Sequence, residues 1–270
     1  MMHKEDLRRT LISIKNKNFS STMEYDPYTL TTEAIKYIGD PDPSLRDDLV
    51  LSFIEAMILK QFLTNSEVKS LLNICINNLN FGLGKTDDSV FTRTFSMLII
   101  AIILYRHRMM GFLNDGDLRN IFEKVLYSYK NDVDVRGYID SKGWAHGTAY
   151  GADVFLEFTY LSEINQEMMQ RILEVIFHKA KVNNYGYIHE EDERMARVVA
   201  QIINKKKLSS QFIIDWIKTF ELAPASGVKF IVRRNNVRNF LRSLYFLLVK
   251  DHRSYLYCDT ILQVIEKNYE

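Results

Sequence analysis

Apolar residues recur along this chain at the spacing of one face of an α-helix. The clearest example covers residues 68–79, where apolar side chains stand at i, i+3, i+4, i+7, i+8 and i+11. The pattern returns at residues 118–129 and 169–180, in part at residues 213–220, and most weakly at residues 257–265. The chain is therefore predicted to contain a series of amphipathic helices with similar buried faces.

Longer apolar helices are predicted between these amphipathic ones. They start near Ser44, Asp88, Gly143, Glu190 and Asn235. Helix pairs then follow each other at intervals of about 45 to 50 residues, as in helical repeat proteins.

Other local signals agree with a helical fold. Two further helices are predicted near residues 4–16 and 29–38, and Thr64 with Glu67 fits a capping box before residue 68. Strand signals are almost absent. We expect an all-α fold, an α-α superhelix in which antiparallel helix pairs stack as in HEAT and armadillo proteins, forming one domain of residues 1–270.

Aligning the first helices of the pairs places one cationic or potentially cationic residue at an equivalent position in each. These residues are Arg46, Arg93, His146, Arg194 and Arg238. Equivalent positions of a solenoid line up in space, so they are expected to form a row on the concave surface. The alternative is that each arginine pairs with an acid on a neighbouring repeat.

Composition excludes several classes of protein. The 35 Lys and Arg residues against 34 Asp and Glu leave a net charge of +1, which argues against a dedicated nucleic-acid binder. Only 11 Gly and 4 Pro occur, too few for a loop-rich or disordered chain. Cys75 and Cys258 lie far apart in apolar settings, so buried free thiols are expected rather than a metal or redox site.

The N-terminal residues and the most apolar stretch point to a cytoplasmic protein. The opening residues, MMHKEDLRRT, are charged and lack the apolar core of a signal peptide. Residues 94–105 form an apolar stretch between Arg93 and Arg106, whereas a helix that spans a bilayer needs about 20 residues. We therefore expect a buried helix and no membrane span.

The most unusual segment covers residues 132–158 and is rich in glycine. A helix is predicted to begin near Gly143 and to carry Gly147 and Gly151, each of which costs up to about 1 kcal/mol relative to alanine. With three alanines between them, these glycines leave part of the helix surface bare. A neighbouring backbone or a ligand can therefore approach closely.

His146, Tyr150 and Asp153 stand at i, i+4 and i+7 of this predicted helix. A histidine and a carboxylate on one face suit general acid–base chemistry, and Glu193 is a second candidate for the carboxylate. A hydrogen-bonded core network is the alternative. The chain has no HExxH or HxxxH spacing, so neither a metal nor another cofactor is expected.

Residues 229–253 form the most basic part of the chain, with seven Lys or Arg and one Asp. Four arginines there are interleaved with asparagines and could hold a phosphate or carboxylate: Arg233, Arg234, Arg238 and Arg242. An acidic run, residues 190–193, precedes this segment and could instead pair with it between repeats. No phosphate-binding loop or nucleophile elbow is present.

Several motifs in order resemble one known family. They are IGDPDPSLRDDLV (38–50), RGYIDSKGWAHGTAYGAD (136–153), EDERMAR (191–197) and NNVRNFLRSLYFLL (235–248). Together they resemble the bacterial family of domain of unknown function 2785, over almost the whole chain. The resemblance implies a cytosolic protein of a Gram-positive bacterium and no established activity. The family motif has a second histidine where this chain has Tyr150, which argues against a role that needs two imidazoles.

These observations favour a binding or scaffold protein whose concave face holds a peptide, a partner protein or a small anionic ligand. The expected ligand-binding residues are Arg93, Arg136, Trp144, His146, Tyr150, Asp153, Arg194 and Arg238. The alternative is a metal-independent hydrolase or lyase in which His146 acts with Asp153 or Glu193. Nucleic acid is the least expected partner, and the sequence does not indicate an oligomeric state.

Overall fold

The computed structural model describes residues 2–19, 25–250 and 254–269, and this part of the chain is predominantly helical. The elements are α1 (Lys4–Asn16), α2 (Pro27–Ala34), α3 (Pro43–Leu45), α4 (Ser52–Leu59), α5 (Asn65–Asn78), α6 (Ser89–Met110), α7 (Asp115–Asn131), β1 (Tyr138–Ile139), β2 (Gly143–Trp144), α8 (Gly147–Tyr160), α9 (Gln166–Ala180), α10 (Glu191–Lys205), α11 (Ser210–Lys218), α12 (Val228–Leu248) and α13 (Tyr255–Lys267). A 3₁₀ turn, Ile35–Tyr37, follows α2, and a π-helical turn, Arg46–Leu51, joins α3 to α4.

The chain divides into two compact units, residues 1–154 and 155–270. In the first, α6 packs against α4 and α5, and α5 packs against α7. In the second, α10 packs against α12, and α11 packs against α13. The all-α fold is thereby confirmed, while the single domain stays a prediction.

The observed first residues of the helices agree with some of the predicted starts and differ from others. The capping box of α5 is formed by Thr64 and Glu67, as predicted. The predicted start near Asn235 is wrong, because α12 already begins at Val228. Val228 and Ile231 are exposed, so the first two turns of α12 contribute few apolar core positions that a periodicity search can detect.

Helix α6 contains the apolar stretch of residues 94–105 and is longer than that stretch. Within the described residues it is the one helix long and apolar enough to cross a membrane, yet 67% of its most apolar window is buried inside the protein. Arg93 and Arg106 lie inside the helix and are buried. Burial of this kind is typical of the core helix of a soluble protein.

The bare surface of α8 packs tightly against its neighbours in the first unit. Ala149 and Ala152 are fully buried. A Cβ at Gly147 would lie 3.2 Å from Thr94 Cγ2, and a Cβ at Gly151 would overlap the ring of Tyr129. The glycines therefore admit neighbouring side chains, and helix packing accounts for them.

Replacing Gly151 by alanine is expected to lower the free energy of unfolding by about 1–2 kcal/mol. The added methyl group overpacks the buried ring of Tyr129, and this outweighs the better helix propensity of alanine. Urea unfolding followed by far-ultraviolet circular dichroism measures the change. Gly186→Ala is the control, because nothing lies within 4 Å of its added Cβ. Equal effects of the two substitutions would show that Gly151 is not a packing site.

Candidate functional site

The segment between α7 and α8 turns back on itself before the helix begins. Strands β1 and β2 pair antiparallel, with Tyr138 opposite Trp144 and Ile139 opposite Gly143. The predicted helix start near Gly143 is therefore wrong. Gly143 has φ of +79° and Ser141 has φ of +63°, and these left-handed conformations reverse the chain where a helix would continue it.

The buried side chain of Arg46 binds the turn between β1 and β2. Its guanidinium donates to the carbonyl oxygens of Asp40 and Lys142, each at 2.8 Å. It lies 4.1 Å from the ring centroid of Phe91 and 4.5 Å from that of Phe95, positions that suit cation–π attraction. The fully buried Arg46 side chain thus links the π-helical turn to the hairpin.

Arg93 is equally buried and is held by Asp132. Nε and Nη2 of Arg93 donate to the two carboxylate oxygens at 2.8 and 3.0 Å, and Nη1 donates to Phe81 O and Ser89 Oγ. Arg93 was expected to meet an anionic ligand. Its side chain has no exposed surface. The alternative interpretation, in which the arginine pairs with an acid of the chain itself, therefore applies to Arg93.

Arg136 forms a bidentate ion pair with Asp134. Its Nε and Nη2 donate at 2.8 and 2.6 Å, and Nη2 also donates to Asp87 O. Hydrogen bonding to Asp134 raises the pKa of Arg136 above its usual value. Lys142 is paired with both carboxylate oxygens of Asp88 at 2.9 and 2.7 Å. The basic groups of the hairpin are thus neutralised by acids of the first unit.

His146 lies just before α8, and not in the helix as predicted. Its φ is +50°, and its carbonyl oxygen accepts the first helical hydrogen bond, from Tyr150 N. The imidazole stacks on Trp144 with centroids 4.9 Å apart and meets the Tyr150 ring edge-on at 5.3 Å. His146 and Tyr150, which the sequence analysis placed on one helix face, are therefore in contact, although His146 lies outside the helix.

The outer end of this aromatic group is open to solvent. Trp144 is 37% exposed and Tyr138, 5.0 Å away between ring centroids, is 47% exposed, whereas His146 is only 6% exposed. Asp153 lies half-buried on α8. The hydrolase alternative needs His146 in a solvent-connected pocket, whereas its imidazole is almost closed off from solvent.

In the second unit, residues of the acidic run at the start of α10 contact side chains of α10 and α12. Glu191 is fully buried, and burial raises the pKa of its carboxyl group. Asp192 accepts a hydrogen bond from Ser243 at 2.8 Å. Glu193, proposed as a catalytic carboxylate, pairs with Arg197 at 2.5 Å.

Arg194 and Arg238, expected to neutralise an anion, are both half-buried. The backbone N–H of Arg194 donates to Glu190 O at 2.9 Å. Arg238 donates from Nη1 to the hydroxyl of Tyr269, and its guanidinium lies 5.6 Å from the centroid of that ring.

Arg238 belongs to a group of cations that sequence analysis assembled only in part. Arg234 lies one turn before it, 5.7 Å from the ring centroids of Phe230 and Tyr269. Arg233 donates from Nε to Lys181 O at 3.2 Å. We name Lys181, Arg233, Arg234 and Arg238 the arginine site.

Lys181 was missed because it follows α9, far from the basic segment in sequence. Its ammonium lies 4.4 Å from the centroid of Phe177 and donates weakly to Thr219 O at 3.4 Å. Burial, and then the charge of Arg233, lower its pKa. Within the described residues, no member of the arginine site forms an ion pair with a carboxylate. The described residues also hold no group of three or more potential metal ligands.

Comparison with known proteins gives one match. The family model described as Protein of unknown function (DUF2785) matches residues 79–246, more than half of the chain. No curated protein and no solved structure matches. The matched range contains both the hairpin with its aromatic group and the arginines of α12. The chain belongs to this family of proteins of unknown function, DUF2785.

Proposed function

We propose that this protein is a binding protein whose second unit holds a small ligand with a phosphate or carboxylate group at the arginine site. The observation that carries the proposal is that, in the part of the chain that the structure describes, no carboxylate forms an ion pair with Arg234 or Arg238. Each guanidinium offers five N–H donors. The described residues supply Arg234 and Arg238 together with one hydrogen-bond acceptor, the hydroxyl of Tyr269.

The first unit shows what a structural arginine looks like in this protein. Arg46 and Arg93 are fully buried, and carbonyl or carboxylate oxygens meet their guanidinium groups. Arg234 and Arg238 are half-buried, and aromatic rings take the place of acids beside them. Half-burial among rings weakens solvent screening, so an anion would bind more strongly here than at a fully exposed cluster.

Mutual repulsion supports the same proposal. The charge of Arg233 is one cause of the lowered pKa of Lys181. An anion bound between these groups would reverse that effect, because an opposite charge favours the charged form of lysine. The pKa of Lys181 should therefore rise when the ligand binds.

We also propose that the helix pairs stack as a HEAT-like or armadillo-like solenoid, with its concave face available to a peptide. The repeated packing of α10 on α12 and of α11 on α13 supports this arrangement within the second unit. The exposed rings of Tyr138 and Trp144 support a role in peptide binding for the first unit. A cytoplasmic location in a bacterium is proposed from the family resemblance.

Replacing Arg234 and Arg238 together by glutamine is expected to weaken binding of inorganic phosphate at least about tenfold. Each replacement removes charge-assisted hydrogen bonds worth about 1.5–3 kcal/mol. Isothermal titration calorimetry with inorganic phosphate measures the affinity. The signal of Lys181 in nuclear magnetic resonance should shift with bound phosphate in the wild-type chain only.

The matched control is Arg197→Gln with Lys267→Gln, which removes the same charge from exposed ion pairs of the same unit. This variant should bind phosphate like the wild type. Both double variants should keep the wild-type melting temperature within a few degrees. A large loss of stability on replacing Arg234 and Arg238 would show that these arginines are structural, and equal phosphate binding by all three proteins would refute the site.

A further inference from the structure

Large apolar side chains are exposed where α12 ends and α13 begins. Phe246 is 69% exposed and Leu247 41%, while Tyr255 and Leu256 are each 56% exposed. Helices α12 and α13 pack against each other, and six residues separate the end of one from the start of the other. We name these four residues the apolar corner. Exposed groups of this kind mark sites of interaction with proteins or membranes.

The apolar corner continues a row of positive charge. Arg234, Arg238, Arg242 and Phe246 follow each other at intervals of four residues on α12. Each step of four residues turns about 40° further around the helix axis, so the row extends about 18 Å along α12 and winds about 120° around it. Arg242 is exposed, and Lys250 follows the helix.

Helix α12 carries no counter-charge of its own. Between Val228 and Leu248 there are five Lys or Arg residues and no Asp or Glu. Two copies of this face would repel each other, which disfavours a second copy of the chain as its partner. An anionic surface that also accepts apolar side chains complements both parts of the row.

We propose that this face docks on the surface of a bilayer that contains anionic phospholipids. Arg234, Arg238 and Arg242 meet headgroup phosphates, and Phe246, Leu247 and Leu256 enter the interface between the headgroups and the acyl chains. Stable docking of a peripheral protein needs both kinds of contact, because neither basic charge nor a few apolar side chains suffices alone. The proposal rests on the anion chemistry of the arginine site and names the phospholipid headgroup as its source.

The test is co-sedimentation of the protein with vesicles. Vesicles of phosphatidylcholine in which about a third of the lipid is phosphatidylglycerol should bind the wild-type protein, and vesicles of phosphatidylcholine alone should not. Phe246→Ser with Leu256→Ser should lower binding at least about tenfold, because the interface contact is lost. Leu262→Ser, at another exposed apolar position on α13, should leave binding unchanged.

Two results would overturn the membrane proposal. One is vesicle binding that the two serine replacements do not change. The other is equal binding of the wild-type protein to soluble polyglutamate or duplex DNA, which would assign the face to an acidic macromolecule.

Phosphate titration separates this proposal from the proposed function. The serine variant should keep wild-type affinity for inorganic phosphate, since the apolar corner lies outside the arginine site. If the protein binds phosphate but not vesicles, the membrane proposal is refuted and the proposed function is kept. The opposite result is vesicle binding that depends on Phe246 and Leu256 in a protein that does not bind phosphate. It would support the membrane-docking surface and refute the arginine site.

Discussion

Replacing Arg93 by alanine is expected to lower the free energy of unfolding of the first unit by about 3–5 kcal/mol. The side chain has no exposed surface, and its bidentate partner Asp132 is 6% exposed. Removing one member of a buried pair leaves the other as an uncompensated charge. The substitution also releases Phe81 O and Ser89 Oγ from their donor.

Fluorescence can report on this unit separately. The chain has two tryptophans, Trp144 in the first unit and Trp216 in the second. In a Trp216→Phe background, urea unfolding followed through Trp144 measures the loss. Arg9→Ala, which removes an exposed ion pair, should change the stability by less than about 0.5 kcal/mol.

The double variant Arg93→Ala with Asp132→Ala distinguishes pairing from packing. If the uncompensated charge of Asp132 causes most of the loss, removing both side chains should cost less than the sum of the single changes. Strict additivity would contradict the ion-pair account of Arg93.

Replacing Arg46 by alanine is expected to cost about 3–4 kcal/mol and to loosen the hairpin. The change leaves a cavity between Phe91 and Phe95. It also removes the donors to the carbonyl oxygens of Asp40 and Lys142. The same urea unfolding measures the stability, and hydrogen exchange of residues 138–144 should become faster.

Arg46→Met is the matched variant for this site. Methionine restores much of the side-chain volume but none of the hydrogen bonds. It should recover part of the stability while exchange in the hairpin stays fast. Full recovery of both by methionine would show that the tie between Arg46 and the hairpin is not needed.

Periodicity predicted the helices well because buried faces repeat every three to four residues. It failed where the chain leaves helical geometry. Gly143 and His146 have positive φ values, and a spacing argument that assumes a continuous helix cannot detect such a turn. The contact of His146 with Tyr150 was reached for the wrong geometric reason, because His146 only precedes the helix.

The candidate sites were partly predictable. The row of arginines identified Arg93 and Arg238 by position, but sequence position does not tell a core ion pair from a binding group. The deciding partners are distant in sequence: Asp132 lies 39 residues from Arg93 and Tyr269 lies 31 residues from Arg238. Tertiary packing alone brings such partners together.

Diffraction from crystals soaked in tungstate tests the central claim, that an anion binds at the arginine site, most directly. Tungstate is a tetrahedral dianion like phosphate, and its metal scatters anomalously. We predict an anomalous peak with its oxygens in hydrogen-bond reach of Arg234 and Arg238. Guanidinium groups of Arg234 and Arg238 that bind a carboxylate of the chain itself, with tungstate peaks only elsewhere, would contradict the account.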